Sequence, residues 1–294
     1  MKPARLPDSD AASQVLWGVD FSSAPSARKP IVVAQGLLIG RVLRLQGLRR
    51  LNTLVQFEDW LQTPGPWVGG FDFPFGLPRH FVDSLGLGQS SAEVMAALRR
   101  RCATRMDFRA LVDQWGNGQP KGQRLLHRRT DAAQQGVSST SPLQTRYVPV
   151  GFMYFEGFSR LLQAQVQVPR MFEPDVSPMP PVPSTLPVQA RVALEAYPGL
   201  LAYELIGRRS YKNDAGPERL LARKQMVEML EQGRTRLGLR LKLSPSQAGE
   251  LVADAAGDHL DAVLCLVQAA WASQQPAYGL PADLDAVEGW IISS

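Results

Sequence analysis

Five acidic residues stand where buried elements of this chain begin or end. Asp20 follows the apolar run "LWGV", Asp72 follows "WVGGF", and Glu195 closes "RVALE". Asp258 and Asp261 lie three residues apart near the start of the helical pattern "GDHLDAVLCLVQAAWAS". A carboxylate at the end of a buried strand is costly to desolvate unless a cation, a hydrogen-bond donor or a ligand meets it. The recurrence of acids at such positions therefore indicates carboxylate-based chemistry.

The elements around the first two acids predict a sheet that brings them together. Residues 15–21 have the short apolar form of a strand buried on both faces, and 30–38 with 41–48 form a predicted hairpin. A helix over 51–62 is followed by a strand over 66–73. Such a crossover is right-handed and leads to a parallel neighbour, so the second apolar strand is expected beside the first. Their two terminal aspartates would then leave the same edge of the sheet.

The remaining segments complete a single α/β domain over residues 14–294. We predict a mixed sheet of three antiparallel strands followed by parallel strands, flanked by helices. A mainly helical, basic insertion at 79–188 interrupts it and ends in a proline-rich return segment, 173–187, which cannot be regular helix or central strand. The other predicted elements are a strand within 187–199 and helices at about 198–206, 217–233 and 257–273.

The acids are candidates for a metal site. Ligands of open α/β sheets gather outside the carboxyl ends of the strands. Acids that end three strands and flank one helix repel one another unless divalent cations lie among them, and purely oxygen ligands favour Mg²⁺ or Mn²⁺ over zinc. Two such ions about 4 Å apart are a common device for hydrolysing a phosphodiester. The predicted metal ligands are Asp20, Asp72, Asp258 and Asp261.

Each acid also has a structural explanation. Asp20 could cap its own loop by accepting hydrogen bonds from the amides of Ser22 and Ser23. Asp258 could simply favour the positive end of the helix dipole. Asp261 lies one turn further into the helix, where the dipole explains it less well. The recurrence of the acids, rather than any single residue, therefore carries the metal-site prediction.

Several motif blocks resemble those of a family of unknown function predicted to be nucleases with the ribonuclease H fold. The blocks are "GVDFSSAP", "GGFDFPFGLP", "LEAYPG", "SYKND" and "GDHLDAVLCLVQAAWA", and they span residues 16 to 272. The order strand, hairpin, helix, strand is similar to the ribonuclease H-like superfamily. The resemblance implies that Asp20 and Asp72 are shared metal ligands, completed by Glu195, Asp258 and Asp261. The basic insertion has no counterpart in minimal ribonuclease H domains.

Other residues are candidates for binding a phosphate-containing substrate, with nucleic acid as the expected partner. Lys212 in "SYKND" could neutralise a scissile phosphate, although a solvated loop lysine is commoner. Arg128 and Arg129 in "LLHRRTD" are a candidate phosphate clamp, with a basic helix surface as the alternative. Ser22 and Ser23 in "DFSSA" could form a phosphate loop.

Charge is concentrated in one part of the chain. The formal net charge is +5, but residues 99–146 hold ten Lys or Arg against three Asp, a local excess of +7 that leaves the remainder at −2. This suits a polyanionic partner or a solvated helical face. The aromatic-rich stretch 146–162 has the spacing of a core, with stacking on bases as the alternative.

Composition bounds the remaining possibilities. The chain has 294 residues, 45% of them hydrophobic, which is enough for a sizeable core. Cys102 and Cys265 fit no zinc or disulfide spacing. No segment has the length of a membrane span or the apolar centre of a signal peptide, so we expect a cytoplasmic protein without a membrane or disulfide partner.

Two other function classes stay open beside a two-metal-ion nuclease. The first is an ATP-dependent phosphotransferase of the actin and sugar-kinase kind, which would need a duplicated half with its own glycine-rich loop that the sequence does not display. The second is a catalytically inactive nucleic-acid-binding or scaffold protein, which would bind metal without cleavage. Walker, nucleophile-elbow and dinucleotide motifs are absent from the sequence.

Overall fold

The computed structural model describes residues 15–133, 137, 139–174 and 190–294. Within them, six strands form one mixed sheet in the order β5-β4-β1-β2-β3-β6. The strands are β1 (Val15–Asp20), β2 (Ile31–Ile39), β3 (Val42–Leu51), β4 (Trp67–Phe71), β5 (Arg191–Glu195) and β6 (Arg240–Lys242). β2 runs antiparallel to β1 and β3, whereas β4, β5 and β6 each pair in parallel. The predicted α/β class, with an antiparallel hairpin followed by parallel strands, is confirmed.

Helices cover both faces of this sheet. They are α1 (Leu54–Leu61), α2 (Arg79–Ser84), α3 (Ser91–Arg101), α4 (Arg105–Asn117), α5 (Val150–Met153), α6 (Ser159–Gln163), α7 (Pro198–Ile206), α8 (Pro217–Glu231), α9 (Pro245–Ala253) and α10 (Asp258–Ala272). A π-helical turn over 154–158 joins α5 to α6. The Thr53 hydroxyl caps α1 by accepting from the Gln56 amide, and α8 begins at Pro217.

The sheet separates two apolar cores. On β1, Leu16 points to the core shared with α7, α8 and α10, whereas Trp17 and Val19 point to the core shared with α1 and the helices between β4 and β5. This alternation follows from the two-residue period of a strand. The domain therefore has three layers, with the sheet in the middle.

The described part of the segment between β4 and β5 packs on the sheet rather than standing apart from it. Of its aromatic residues, Phe152, Tyr154, Phe155 and Phe158 are buried, and Phe155 lies 5.3 Å from Phe108 in a stacked arrangement. These four belong to the core, as their spacing favours. Tyr147 is different, since it is 98% exposed. The proline-rich segment lies outside the described residues, apart from 173 and 174.

Two regular elements escape the sequence patterns. β6 is three residues long, and only its central Leu241 is buried, so it lacks any period to detect. α9 lies immediately before α10 and buries Leu251 alone. Cys102 and Cys265 are both free and buried. Among the described residues, we find no helix with the length and apolar character needed to cross a membrane.

Candidate metal centre

Three carboxylates from three separate elements converge at one edge of the sheet. Asp20 ends β1, Asp72 follows β4, and Asp261 lies in the first turn of α10. Each offers an oxygen atom, and the three oxygens lie within 4.8 Å of one another. Asp261 is 1% exposed, whereas the other two are half-buried. We call these three residues the acidic cluster.

Strand register and one close helix contact create the acidic cluster. Val19 pairs with Phe71 in the parallel ladder, so β1 and β4 end side by side. A Cβ atom on Gly18 would lie 2.0 Å from the Ala262 carbonyl oxygen, and one on Gly70 would lie 2.5 Å from a carbonyl oxygen of α10. Because backbone atoms cannot yield, only glycine lets α10 approach this closely. The approach carries Asp261 to the ends of the strands.

Burial and mutual repulsion dominate the electrostatics of the acidic cluster. Burial raises the pKa of Asp20 well above its usual range, and the charges of Asp72 and Asp258 raise it further, against the opposing charge of Lys212. Burial also raises the pKa of Asp72 to about 6, with Lys212 lowering it and Glu195 raising it. Carboxylates in this state favour protons or cations as partners.

Lys212 and Tyr211 hold the third carboxylate from the loop between α7 and α8. The Lys212 ammonium forms an ion pair with Asp261 Oδ2, and the Tyr211 hydroxyl donates to Oδ1. Gly257 makes room for them: its φ is +83°, and a Cβ atom there would lie 2.8 Å from Lys212 Cγ. Lys212 thus supplies positive charge directly beside the acidic cluster, and its role in neutralising a phosphate stays a prediction.

Glu195 ends β5 at the same edge but is engaged elsewhere. It is 3% exposed, and its Oε2 accepts hydrogen bonds from the Phe75 amide and from Arg128 Nη1, both at 2.9 Å. Arg128 Nη2 donates to Oε1 at 2.6 Å. Although burial raises its pKa, the neighbouring guanidinium acts in the opposite direction. Glu195 therefore supports the edge of the site rather than joining the acidic cluster.

The assignment of Arg128 to a phosphate clamp is wrong. Its guanidinium is 1% exposed, and all five N–H groups have partners. Besides its two bonds to Glu195, it donates to both carboxylate oxygens of Asp131 at 3.2 and 2.8 Å and to the Glu288 carbonyl at 2.9 Å. Burial lowers the pKa of this arginine, but Glu195 and Asp131 raise it by more. No donor is left for a substrate.

Asp258 begins α10 and, among the described residues, lies outside the acidic cluster. Burial raises its pKa, and Asp254 raises it further. Asp254 is the C-terminal cap of α9, and its carboxylate accepts hydrogen bonds from the amides of Ala256 and His259 at 3.2 and 2.9 Å. A metal-binding role for Asp258 stays a prediction, supported by the effect of its charge on the pKa of Asp20.

Ser22 and Ser23 lie in the loop that leaves β1, and both are buried. The Ser22 hydroxyl accepts a hydrogen bond from the Ala24 amide at 3.4 Å, so this serine closes its own turn. The Ser23 carbonyl accepts one from Arg105 at 2.9 Å. The loop is therefore fixed beside Asp20, and phosphate binding by its serines stays a prediction.

Much of the basic segment, 99–146, is paired within the protein. Arg146 binds both carboxylate oxygens of Asp113, at 2.6 and 2.7 Å. Arg129 pairs with Asp283 at 2.6 Å, although its side chain is 61% exposed. The local positive excess is thus partly neutralised in place, which favours a structural role for the charge run. Phosphate binding by Arg129 stays a prediction.

Among the described residues, two cavities include Asp72 of the acidic cluster in their lining, and sequence patterns indicate neither. The larger, of about 410 Å³, contains Arg208 and Arg209 in its wall. The second, of about 210 Å³, we call the side cavity; its walls include Phe73, Pro74, Val150, Met153, Tyr197 and Ile291. Asp72, Tyr197 and Lys212 line both cavities.

Tyr197 and Tyr211 are the site residues that sequence reasoning misses. Both lie inside the motif blocks, in "LEAYPG" and "SYKND", next to residues with assigned roles. Burial raises the pKa of each phenol, and the charge of Asp72 raises it further, so both hydroxyls keep their protons at neutral pH. Their position within those blocks is the signal that could have found them.

In comparisons with known proteins, no family model, curated protein or solved structure matches this chain.

Proposed function

We propose that this protein hydrolyses phosphodiester bonds with a divalent cation, Mg²⁺ or Mn²⁺, held by Asp20, Asp72 and Asp261. The observation that carries the proposal is the convergence of three carboxylates from three elements to within 4.8 Å. Their donor atoms are all oxygen, which suits a hard cation. The pKa values of Asp20 and Asp72 are raised, which indicates that the positive charge near these two carboxylates does not balance their burial and mutual repulsion.

The arrangement of the sheet supports the same proposal. A hairpin leads to parallel strands, and acids stand at the carboxyl ends of adjacent strands. This is the order that the resemblance to the ribonuclease H-like superfamily implies. The fold alone says little about reaction type, so the proposal depends on the acidic cluster.

In the proposed hydrolysis, each residue of the site would have its own role. When bound, a divalent cation supplies an activated water and positive charge for the phosphate. The acidic cluster would hold it, with the Tyr211 hydroxyl keeping Asp261 oriented. Lys212 would offer its ammonium to a phosphate oxygen once a cation satisfies Asp261. Asp258, whose charge raises the pKa of Asp20, is a further acid that could help to hold the second ion of a two-metal mechanism.

The test compares the wild type with Asp20→Asn, which keeps the shape of the side chain and removes its charge. We expect the variant to fold, to lose the stabilisation that Mn²⁺ gives the wild type, and to cleave labelled DNA or RNA at least about a hundredfold more slowly. Asp59→Asn, on the exposed face of α1, is the matched control and should behave as the wild type.

Three results would redirect the proposal. Equal stabilisation of wild type and Asp20→Asn by Mn²⁺ would contradict the metal site. Hydrolysis of ATP without cleavage of single- or double-stranded nucleic acid would favour a phosphotransferase. Metal binding without any turnover would favour an inactive binding protein.

A further inference from the structure

The side cavity adjoins the acidic cluster directly. Asp72 and Lys212 form part of its lining, so a phosphate held at the acidic cluster would lie against this cavity. The lining also includes the buried Arg128 and Glu195. A group that enters the cavity must therefore be attached within a few bonds of that phosphate.

The walls of the side cavity suit a flat ring. Pro74, Val150, Met153 and Ile291 present carbon atoms, Tyr197 adds an aromatic ring, and Ser139 and Thr140 add hydroxyl groups. A nucleobase has apolar faces for the hydrocarbon walls and polar edges for the hydroxyl groups, and methionine sulfur contacts aromatic rings favourably.

The size of the side cavity sets a limit on its occupant. Pockets for drug-sized molecules are roughly 300–1,000 Å³. The side cavity, at about 210 Å³, has room for one ring system and none for a base pair. A base could enter only if it were unpaired, as in a single strand, a flipped nucleotide or a free nucleotide.

We infer that the side cavity is a binding site for one unpaired nucleobase, adjacent to the phosphate on which the acidic cluster acts. This inference rests on the proposed function for the identity of the phosphate. It names the substrate class: single-stranded nucleic acid or a small nucleotide, rather than an intact duplex.

The experiment uses a ligand with a single phosphodiester. When that phosphodiester lies at the acidic cluster, only the two bases beside it can reach the side cavity. Binding of dTpdT would be measured by calorimetry with Ca²⁺ in place of Mn²⁺ to slow cleavage. Two analogues, each lacking the 5′ or the 3′ base, would be measured beside it. We expect the loss of one of the two bases to weaken binding about tenfold and the loss of the other to matter little.

Variants then locate the effect. Val150→Phe fills the side cavity. It should lower the affinity for dTpdT to that of the sensitive abasic analogue, and the affinity for that analogue should stay unchanged. Val55→Phe is the matched control, because Val55 is 62% exposed on α1, and it should leave all three ligands unchanged. If Val150→Phe does not fold, Met153→Ala removes one wall instead and should reduce the difference between the ligands.

The inference and the proposed function fail in different ways. If the wild type binds Mn²⁺ and cleaves nucleic acid but binds all three ligands equally well, the base site alone is overturned. The base site is also overturned if Val150→Phe lowers the affinity for all three ligands by the same factor. A base-dependent difference in a protein that neither binds Mn²⁺ nor cleaves would support the base site and contradict the hydrolysis.

Discussion

Lys212 places a positive charge in direct contact with the acidic cluster. Its ammonium pairs with Asp261, and its charge lowers the pKa of both Asp20 and Asp72. The lysine therefore acts as the resident counterion of three crowded acids. It also competes with any cation for the same oxygens, because an ammonium and a divalent ion seek the same partners.

Replacing Lys212 by Met tests this balance. We expect the metal-free variant to lose about 1–2 kcal/mol of unfolding free energy, less than the roughly 3–5 kcal/mol of a fully buried pair, because this lysine is a third exposed. Mn²⁺ should then stabilise the variant more than the wild type. Thermal melts with and without Mn²⁺ measure both effects, with Lys121→Met in an exposed loop as the control. An equal Mn²⁺ effect in both proteins would contradict the competition.

The acids also predict how stability depends on pH. The pKa of Asp72 is about 6 in the folded chain, against roughly 3.9 for an unperturbed Asp. Between these values the folded state binds more protons than the unfolded state. The unfolding free energy of the metal-free protein therefore falls as the pH rises from about 4 through 6, as far as this residue contributes.

A cation should reverse that trend by replacing the proton. We expect Mn²⁺ to raise the melting temperature little at about pH 5 and by several degrees at about pH 7.5. Scanning fluorimetry across this range measures the difference. A Mn²⁺ effect of the same size at both ends would show that the cation and the proton do not share a site.

The contact of α10 with β1 and β4 builds the site. Gly18 and Gly70 have no room for even a methyl group, because helix backbone lies against them. We expect Gly18→Ala to cost about 3 kcal/mol or more, at the upper end for overpacking, since backbone rather than a side chain must move. It should also weaken Mn²⁺ binding by shifting Asp261.

The matched control is Gly47→Ala on β3, where a Cβ atom would meet nothing within 4 Å. Its unfolding free energy should stay within about 1 kcal/mol of the wild type. Urea unfolding and calorimetric Mn²⁺ titration would measure both variants. If Gly18→Ala leaves the Mn²⁺ affinity unchanged, the expectation that the α10 contact positions Asp261 for the cation is wrong.

Periodicity predicts the elements that carry the acids, because each has a strong pattern. β1, β4 and β5 are short apolar runs, and α10 has an apolar face along its whole length. Topology then follows from crossover handedness, and this places Asp20 beside Asp72. Whether Asp261 or Asp258 joins the acidic cluster depends on the position of α10 along the sheet. The close contacts at the glycines set this position, and no sequence pattern reveals it.

Arg128 shows where sequence reasoning fails. A run of basic residues indicates a solvated surface, and nothing local reveals that Glu195 and Asp131 enclose this one side chain. Asp131 lies only three residues away, but the other two partners are distant in sequence, 67 residues away for Glu195 and 160 for the Glu288 carbonyl. Pairing over such separations is a property of the assembled domain.

The buried Arg128 joins three parts of the chain: the insertion, the end of β5 and the C-terminal segment. We expect Arg128→Met to cost about 3–5 kcal/mol, because it leaves Glu195 and Asp131 buried without their partner. The neighbouring Arg129→Met should cost less than about 1 kcal/mol, since its pair with Asp283 is exposed.

Urea unfolding of both variants measures the difference. Equal losses would mean that the buried network contributes no more than a surface pair. A double variant, Arg128→Met with Glu195→Met, should recover part of the loss, because it removes an unpaired charge.

The close packing of α10 on β1 also bears on when the site can exist during synthesis. Asp20 and Asp72 emerge from the ribosome early, whereas Asp261 follows some 240 residues after Asp20, and the contacts between α10 and β1 span the same distance in sequence. Such non-local contacts form late, once the chain between them has been made. The nascent chain therefore carries two aspartates of the acidic cluster without the third, and it acquires its proposed metal affinity only when the domain closes. A released, folded chain and a ribosome-bound chain that stops before residue 258 should thus differ in Mn²⁺ binding, although both contain Asp20 and Asp72.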